Sequence, residues 1–127
     1  MARIVMDASF LIDHLRGRPA AVERLRTMYE AGDDPILTAV ASTEVWSGWR
    51  ASDEAALESF LRYFEFVQPG PATSRLAGLW RAQARAAGST LGTVDALIAA
   101  CAFDLNAAVL TRNVRDFALT PVRVETY

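Results

Sequence analysis

Short apolar runs that alternate with stretches of helical periodicity constrain the fold of this chain more than any other feature. Five runs are typical of strands: "RIVM", "ILTA", "FEFVQP", "AAVLT" and "VRVE". Strands this short, each connected to the next through helices, favour a parallel sheet that is covered on both faces. We therefore predict an α/β fold, a three-layer α/β/α sandwich around a short, mostly parallel sheet.

The segments between the strands carry signals for the start and end of helices. Gly17 and Gly32 end the first two helical patterns, and Pro69-Gly70-Pro71 precedes a long one. We predict a first helix at 8–15, a second from Pro19 that ends at Gly32, and a third through "EVWSGWR" capped by Ser42-Thr43. A fourth helix begins at Ser52-Asp53, a fifth follows Pro69-Gly70-Pro71 and ends at about Ala87, and a sixth is capped by Thr93. The last helix carries an apolar stripe formed by Val94, Leu97, Ile98, Cys101, Ala102 and Leu105.

Length and composition predict one domain, residues 1–127, without repeats or linkers. No basic and apolar leader is visible, and the longest apolar run, 96–103, is far shorter than the roughly 20 residues that span a bilayer. The single cysteine, Cys101, lies in that run and is predicted to be a buried, reduced thiol. We expect a cytoplasmic protein that does not bind membranes.

The ionisable residues exclude several classes of function. All 13 basic residues are arginine, so a P-loop nucleotide site and a Schiff-base enzyme both lack their lysine. The chain has one histidine, His14, which is expected at the surface or its boundary and not as a catalytic base. Ser-His-Asp and Cys-His chemistry are therefore nearly excluded. "GSTLG" centres on Thr90 after a helix, which does not fit a nucleophile elbow. A net charge of −2 gives no bulk attraction for nucleic acid.

Acidic residues fall repeatedly where strands end and helices begin. Asp7 ends the first strand, and Glu44 and Asp95 are predicted in the first turns of the helices that follow "ILTA" and precede "AAVLT". Asn113 and Asp116 follow "AAVLT" directly. Each acid alone has a structural explanation as a helix cap, a first-turn acid or a turn residue. Together they are predicted at the carboxyl edge of the sheet, where such folds bind ligands.

Carboxylates that share a small volume repel one another unless a proton or a cation is present. A cluster of oxygen ligands without cysteine or histidine suits a hard ion, Mg²⁺ or Mn²⁺, better than zinc. These ions bind phosphate oxygens and activate water. The natural reaction at such a site is metal-assisted hydrolysis of a phosphodiester.

With these residues identified, the chain resembles PIN-domain ribonucleases, specifically the VapC-type toxins of bacterial toxin–antitoxin pairs. "VMDASFLID" resembles the opening strand of the family with its first acid, and "LTAVASTEVWSG" resembles the segment with the second acid. "TVDALIAACA" followed by "AAVLTRNVRDF" resembles the third-acid helix and the strand after it. The resemblance covers nearly the whole chain in order and spacing.

The resemblance implies a metal-dependent endoribonuclease that cleaves structured RNA such as tRNA or ribosomal RNA. It also implies a homodimer and a VapB-type antitoxin whose tail enters the acidic site. Asp7, Glu44 and Asp95 match the first three acids of the family, and Ser9 matches the hydroxyl that supports the first. At the fourth position many relatives have an acid where this chain has Asn113, whereas others use the position of Asp116; we favour Asp116.

We hypothesise that Asp7 and Asp95 are the ligands of the principal Mg²⁺. Glu44 and Asp116 then orient metal-bound water or a second ion, with Asn113 as a supporting polar ligand. Arg112 and Arg115 are candidates for binding flanking phosphates, the alternative being solvated surface arginines.

Two rival interpretations belong to other classes. A signalling receiver domain also carries an Asp at the end of a strand, but it needs a lysine and an adjacent acidic pair near the end of the first strand, and this chain has neither. A PIN-like RNA- or protein-binding module without catalysis is favoured only by Asn113. Trp46 and Trp49 are predicted to be core residues, with an exposed partner groove as the alternative.

Overall fold

A computed structural model describes residues 1–48 and 50–127, and its centre is a five-stranded sheet. The strands are β1 (Arg3–Met6), β2 (Asp34–Thr38), β3 (Glu65–Val67), β4 (Ala108–Leu110) and β5 (Val124–Glu125). Their order is β3-β2-β1-β4-β5, and every neighbouring pair is parallel. Val5 of the central strand pairs with Ile36 on one side and Val109 on the other.

Six α-helices connect the strands. They are α1 (Ala8–Leu15), α2 (Pro19–Ala31), α3 (Ala39–Ser47), α4 (Glu54–Leu61), α5 (Pro71–Ala86) and α6 (Thr93–Asp104). Short 3₁₀ turns lie at Ala51–Asp53 and Val114–Phe117. Because parallel connections are right-handed, α1 to α4 form one layer and α5 and α6 the other, and α5 packs along α6. The predicted three-layer α/β/α fold is confirmed.

The direction of the strand order reverses between β1 and β4. From β1 the chain proceeds through β2 to β3 on one side, and then crosses through α5 and α6 to β4 and β5 on the other. A parallel α/β sheet binds ligands at this reversal, outside the carboxyl ends of the two strands. The fold therefore predicts a ligand site beside Asp7, directly after β1, and beside the loop that follows β4.

The core follows from the apolar strands and from α6. Ile4, Val5 and Met6 of β1 and Val109 and Leu110 of β4 are almost completely buried. The predicted stripe on α6 is only part of its buried surface. Ala96, Ala99 and Ala100 are buried as well, whereas Val94, Leu97 and Leu105 are half-buried. The small alanines let α6 pack against α5, α3, β1 and β4 together.

Two predicted helix caps are wrong. The helix after β2 begins at Ala39, not after Ser42-Thr43, because the hydroxyl of Thr38 accepts a hydrogen bond from the N–H of Ala41 at 3.1 Å. The N-cap of α6 is Gly92, and Thr93 is the first helical residue. Threonine and serine are both good N-cap residues, so the sequence alone does not distinguish Thr38 from Ser42. In the structure Thr38, buried at the end of β2, is the cap.

Several smaller predictions also have an outcome. Cys101 is buried and unpaired, and burial raises the pKa of its thiol to about 11. His14 is half-buried and stacks on Phe60 with ring centroids 4.7 Å apart. Trp46 packs partly buried against the core, while Trp49 lies outside the described residues. Among the described helices, none is both long and apolar enough to cross a membrane.

Candidate functional site

The carboxyl ends of β1 and β4 open into a pocket of about 360 Å³. Its polar lining contains the side chains that the sequence pointed to: Asp7, Ser9, Glu44, Asp95, Arg112, Asn113 and Asp116. They come from four elements that are far apart along the chain. The fold therefore brings the four predicted carboxylates to one pocket, beside the point where the strand order reverses.

Asp7 is held at the floor of this pocket by two hydroxyl groups. The residue is 5% exposed and occupies the N-cap position of α1. Its Oδ2 accepts a hydrogen bond from Ser9 Oγ and another from Thr111 Oγ1, both at 2.8 Å. Two donors on one oxygen fix the orientation of the carboxylate, because rotation would break both bonds at once.

Thr111 was not predicted as a site residue, although its position carries a signal. It ends the apolar "AAVLT" run, and a buried hydroxyl at the end of a strand needs a partner. Thr111 is fully buried, and its Oγ1 accepts a hydrogen bond from the backbone N–H of Asn113 at 2.9 Å. Ser9 Oγ accepts one from the backbone N–H of Arg112 at 3.1 Å. The same two hydroxyls thus orient Asp7 and tether the loop after β4.

Glu44 lies further along its helix than predicted. Because α3 begins at Ala39, Glu44 is in the second turn and not in the first. It lines the pocket nonetheless. Side chains of a helix tilt toward its amino end, so a long glutamate one turn inside the helix still reaches the sheet edge. Burial, and then the charge of Asp7, raise the pKa of Glu44.

Asp95 is the most electrostatically perturbed carboxylate in the pocket. It lies in the first turn of α6, as predicted. Its pKa is raised from 3.8 to about 6, mainly by burial and then by the charges of Asp116, Asp7 and Glu44, in that order. Asp116 lies in the 3₁₀ turn after β4, and Asn113 caps that turn. The other three acids are therefore close enough for each to disfavour the ionised form of Asp95.

The donor set suits a hard cation held by few protein ligands. Within residues 1–48 and 50–127, no three Asp, Glu, His or Cys side chains converge closely enough to ligate one ion together. Mg²⁺ is commonly held by one or two carboxylates with water completing its shell. Four pocket carboxylates without sulfur or imidazole therefore fit Mg²⁺ or Mn²⁺, and a cation there would offset the repulsion around Asp95.

The two candidate phosphate-binding arginines differ in position. Arg112 lines the pocket, and its Nη1 donates a hydrogen bond to Asp13 Oδ1 at 2.7 Å. Arg115 is exposed in the 3₁₀ turn and does not line the pocket. Asp13 was not predicted as part of the site. It lies four residues after Ser9 on α1, and this spacing on one helix face was the available signal.

The sequence matches a known domain family over nearly its whole length. Residues 4–121 match the family model of the PIN domain. The curated Ribonuclease VapC19 of Mycobacterium tuberculosis is 32% identical over 117 residues, which cover 92% of this chain and 94% of that protein.

Solved structures share the fold. A chain of VapBC2 from Rickettsia felis, bound to a DNA fragment from its promoter, superposes with a TM-score of 0.87 at 17% identity and covers 98% of both chains. A chain of a toxin–antitoxin complex from Klebsiella pneumoniae gives a TM-score of 0.74 at 25% identity, with 97% of this chain and 96% of that chain covered.

Proposed function

The chain belongs to the PIN-domain family, among its VapC-type members, and we propose that it is the endoribonuclease toxin of a type II toxin–antitoxin pair. Its substrate in this proposal is structured RNA, such as tRNA or ribosomal RNA. The observation that carries the proposal is the convergence of four carboxylates in one pocket at the switch point of the sheet. Carboxylates so arranged repel phosphate, so RNA cleavage there requires a divalent cation.

Asp7 and Asp95 are the residues we expect to hold Mg²⁺, with Mn²⁺ as the alternative ion. Asp7 is buried and fixed by two hydroxyls, and Asp95 is the carboxylate with the most to gain from a nearby positive charge. A cation held by these residues would lower the pKa of a bound water and neutralise charge on the phosphate.

Glu44 and Asp116 face the same pocket and are proposed to orient the attacking water by accepting hydrogen bonds from it. The raised pKa of Glu44 brings this carboxylate closer to the range in which it can take up a proton. We favour Asp116 over Asn113 as the fourth acid because its charge acts directly on Asp95 and only a carboxylate can accept a proton there. Asn113 remains beside it as a polar supporting residue.

The chain has a net charge of −2, so attraction for RNA has to come from arginines near the pocket. Arg112 lines the pocket beside the carboxylates and is proposed to bind a phosphate next to the scissile one. Arg115, exposed one turn away, is proposed to bind the RNA backbone further out. Guanidinium groups bind phosphate through paired N–H donors, so each contact contributes both position and charge.

The proposed partner is a VapB-type antitoxin, and the proposed assembly contains a homodimer of this chain. Neighbours in structure are chains of toxin–antitoxin complexes, and some of those complexes are bound to DNA. An antitoxin segment that enters the pocket would cover the carboxylates and so prevent RNA from reaching them.

The proposed activity is tested by incubating total bacterial RNA with the purified chain, free of antitoxin. Wild type and Asp7→Asn are compared in Mg²⁺ and in EDTA, with circular dichroism spectra to establish that both are folded. We expect discrete fragments from the wild type in Mg²⁺ only, and a reduction of at least about 100-fold for Asp7→Asn. Folded wild type that cleaves nothing under either condition would favour a PIN-like binding module without catalysis.

A further inference from the structure

A buried carboxylate outside the acidic pocket is hydrogen-bonded to one of the residues that line it. Asp13 lies on α1 and is 1% exposed. Its Oδ1 accepts a hydrogen bond from Arg112 Nη1 at 2.7 Å, and Arg18 Nε lies 3.4 Å from the same oxygen. Its Oδ2 accepts a hydrogen bond from the hydroxyl of Tyr127 at 2.7 Å. The carboxylate is therefore compensated by two arginines and one phenol.

These contacts restrict where the guanidinium of Arg112 can go. A buried carboxylate that loses a charged partner is strongly destabilising, so departure of Arg112 from Asp13 is unfavourable. The backbone of Arg112 is fixed separately, because its N–H donates to Ser9 Oγ. The Arg112 side chain is nevertheless 50% exposed and lines the pocket. Asp13 accepts one N–H of the guanidinium, and a guanidinium carries five N–H donors, so others are left for a ligand.

We propose that Asp13 is a positioning residue which, through its hydrogen bond to Arg112, holds that guanidinium ready to bind an RNA phosphate at the mouth of the carboxylate pocket. This inference rests on the proposed function and extends it to a residue outside the pocket. Tyr127 supports the arrangement: burial and the adjacent Asp13 raise the pKa of its hydroxyl, which therefore stays a donor to Asp13.

The other arginines nearby show what is particular to Arg112. Arg18 also approaches Asp13, but it is 61% exposed and does not line the pocket. Arg115 is exposed in the same loop region and has no ion pair among the described residues. Of these three arginines, Arg112 alone joins the buried anion to the carboxylate pocket. A preorganised fork loses less side-chain entropy when it binds phosphate than a free arginine does.

Asp13→Asn distinguishes positioning from simple charge. The substitution removes a negative charge, so general electrostatics predicts tighter RNA binding. Positioning predicts the opposite, with affinity about tenfold weaker and the slope of log Kd against log salt smaller by about 0.7–0.9, which corresponds to one lost phosphate contact. Affinity is measured in Ca²⁺ by fluorescence anisotropy with a fluorescein-labelled RNA stem-loop. The kcat and KM for cleavage of the same stem-loop are measured in Mg²⁺. KM should rise more than kcat falls.

Variants of the two arginine partners of Asp13 keep the test decisive if Asp13→Asn proves unstable. Arg112→Lys retains the charge but not the planar fork, so it should bind RNA several-fold more weakly while melting near wild type. Arg18→Gln is the matched control, since it loses an Asp13 partner outside the pocket and should keep the wild-type salt slope. In an Arg112→Gln background, Asp13→Asn should change RNA affinity less than twofold.

The outcomes separate this inference from the proposed function. Wild-type cleavage together with weaker binding by Asp13→Asn and Arg112→Lys supports both. Wild-type cleavage with unchanged or tighter binding by Asp13→Asn, or full activity of Arg112→Lys, overturns the role of Asp13 and leaves the nuclease intact. Wild type that neither binds nor cleaves the stem-loop, nor cleaves total RNA, overturns both.

Discussion

At the scale of single residues, the surroundings of Asp7 explain why the buried strand β1 is followed by a carboxylate. A Gly, Asn or Pro could have made the turn into α1, but none of these would place a fixed anion at the edge of the sheet. Ser9, on α1, and Thr111, directly after β4, hold Asp7 by donating hydrogen bonds to one oxygen of its carboxylate. A buried carboxylate without such donors would be costly, so the two hydroxyls are part of what permits Asp7 at this position.

Asp95 predicts how the metal-free protein responds to pH. Its pKa in the folded state is about 6, above the ordinary 3.8, so the folded state binds this proton more tightly than the unfolded state. The free energy of unfolding therefore falls as pH rises from about 4 to 6, and the full penalty is present above pH 6. Asp95→Asn should raise that free energy by on the order of 1–2 kcal/mol at pH 7.5 in EDTA, and by nothing at pH 4.

Urea denaturation at the two pH values measures this effect. Glu58→Gln, which alters an exposed carboxylate paired with Arg62 on α4, is the control and should change stability by less than about 0.5 kcal/mol. An Asp95→Asn protein that is no more stable than wild type at pH 7.5 would contradict the electrostatic description of the pocket.

At the scale of elements, a single cap determines where Glu44 lies. Thr38 ends β2, is fully buried, and starts α3 through its hydrogen bond to the Ala41 N–H. The first residue of α3 is then Ala39, and Glu44 follows in the second turn. The position of a site residue thus depends on a hydroxyl that lies outside the pocket.

Thr38→Val is the corresponding prediction, since valine keeps the shape and removes the acceptor. We expect the free energy of unfolding to fall by about 1 kcal/mol, and RNA cleavage to fall because the start of α3 is loosened. Thr43→Val on the same helix is the matched control, because its exposed hydroxyl bonds only the Ala39 carbonyl within the helix. Equal urea midpoints for the two variants would show that Thr38 does not cap α3.

The elements also show what the sequence could predict. Apolar runs and glycine stops located the strands and most helices, because short buried strands and helix ends have strong local signals. The start of α3 was mistaken since Thr38 and Ser42-Thr43 are chemically similar caps, and only burial distinguishes them. The surface that α6 buries exceeded its predicted stripe, because the packing of a helix between a sheet and another helix is a tertiary property.

At the scale of the whole molecule, strand order creates the site. The carboxylates could be predicted at the carboxyl edge because helices return antiparallel to a parallel sheet. That they share one pocket depends on β4 lying beside β1, which brings together residues about a hundred positions apart along the chain. The same long-range pairing joins Asp13 to Arg112, and no local pattern in the sequence predicts that contact.

The Mg²⁺ dependence of the initial rate of RNA cleavage shows whether the pocket carboxylates hold a cation. Wild type, Asp95→Asn and Glu58→Gln are measured at one pH and ionic strength. The proposed site predicts that wild type and Glu58→Gln saturate at the same Mg²⁺ concentration. Asp95→Asn should require at least about tenfold more ion. Cleavage that persists in EDTA, or an identical Mg²⁺ dependence for all three proteins, would contradict a cation held by the pocket carboxylates.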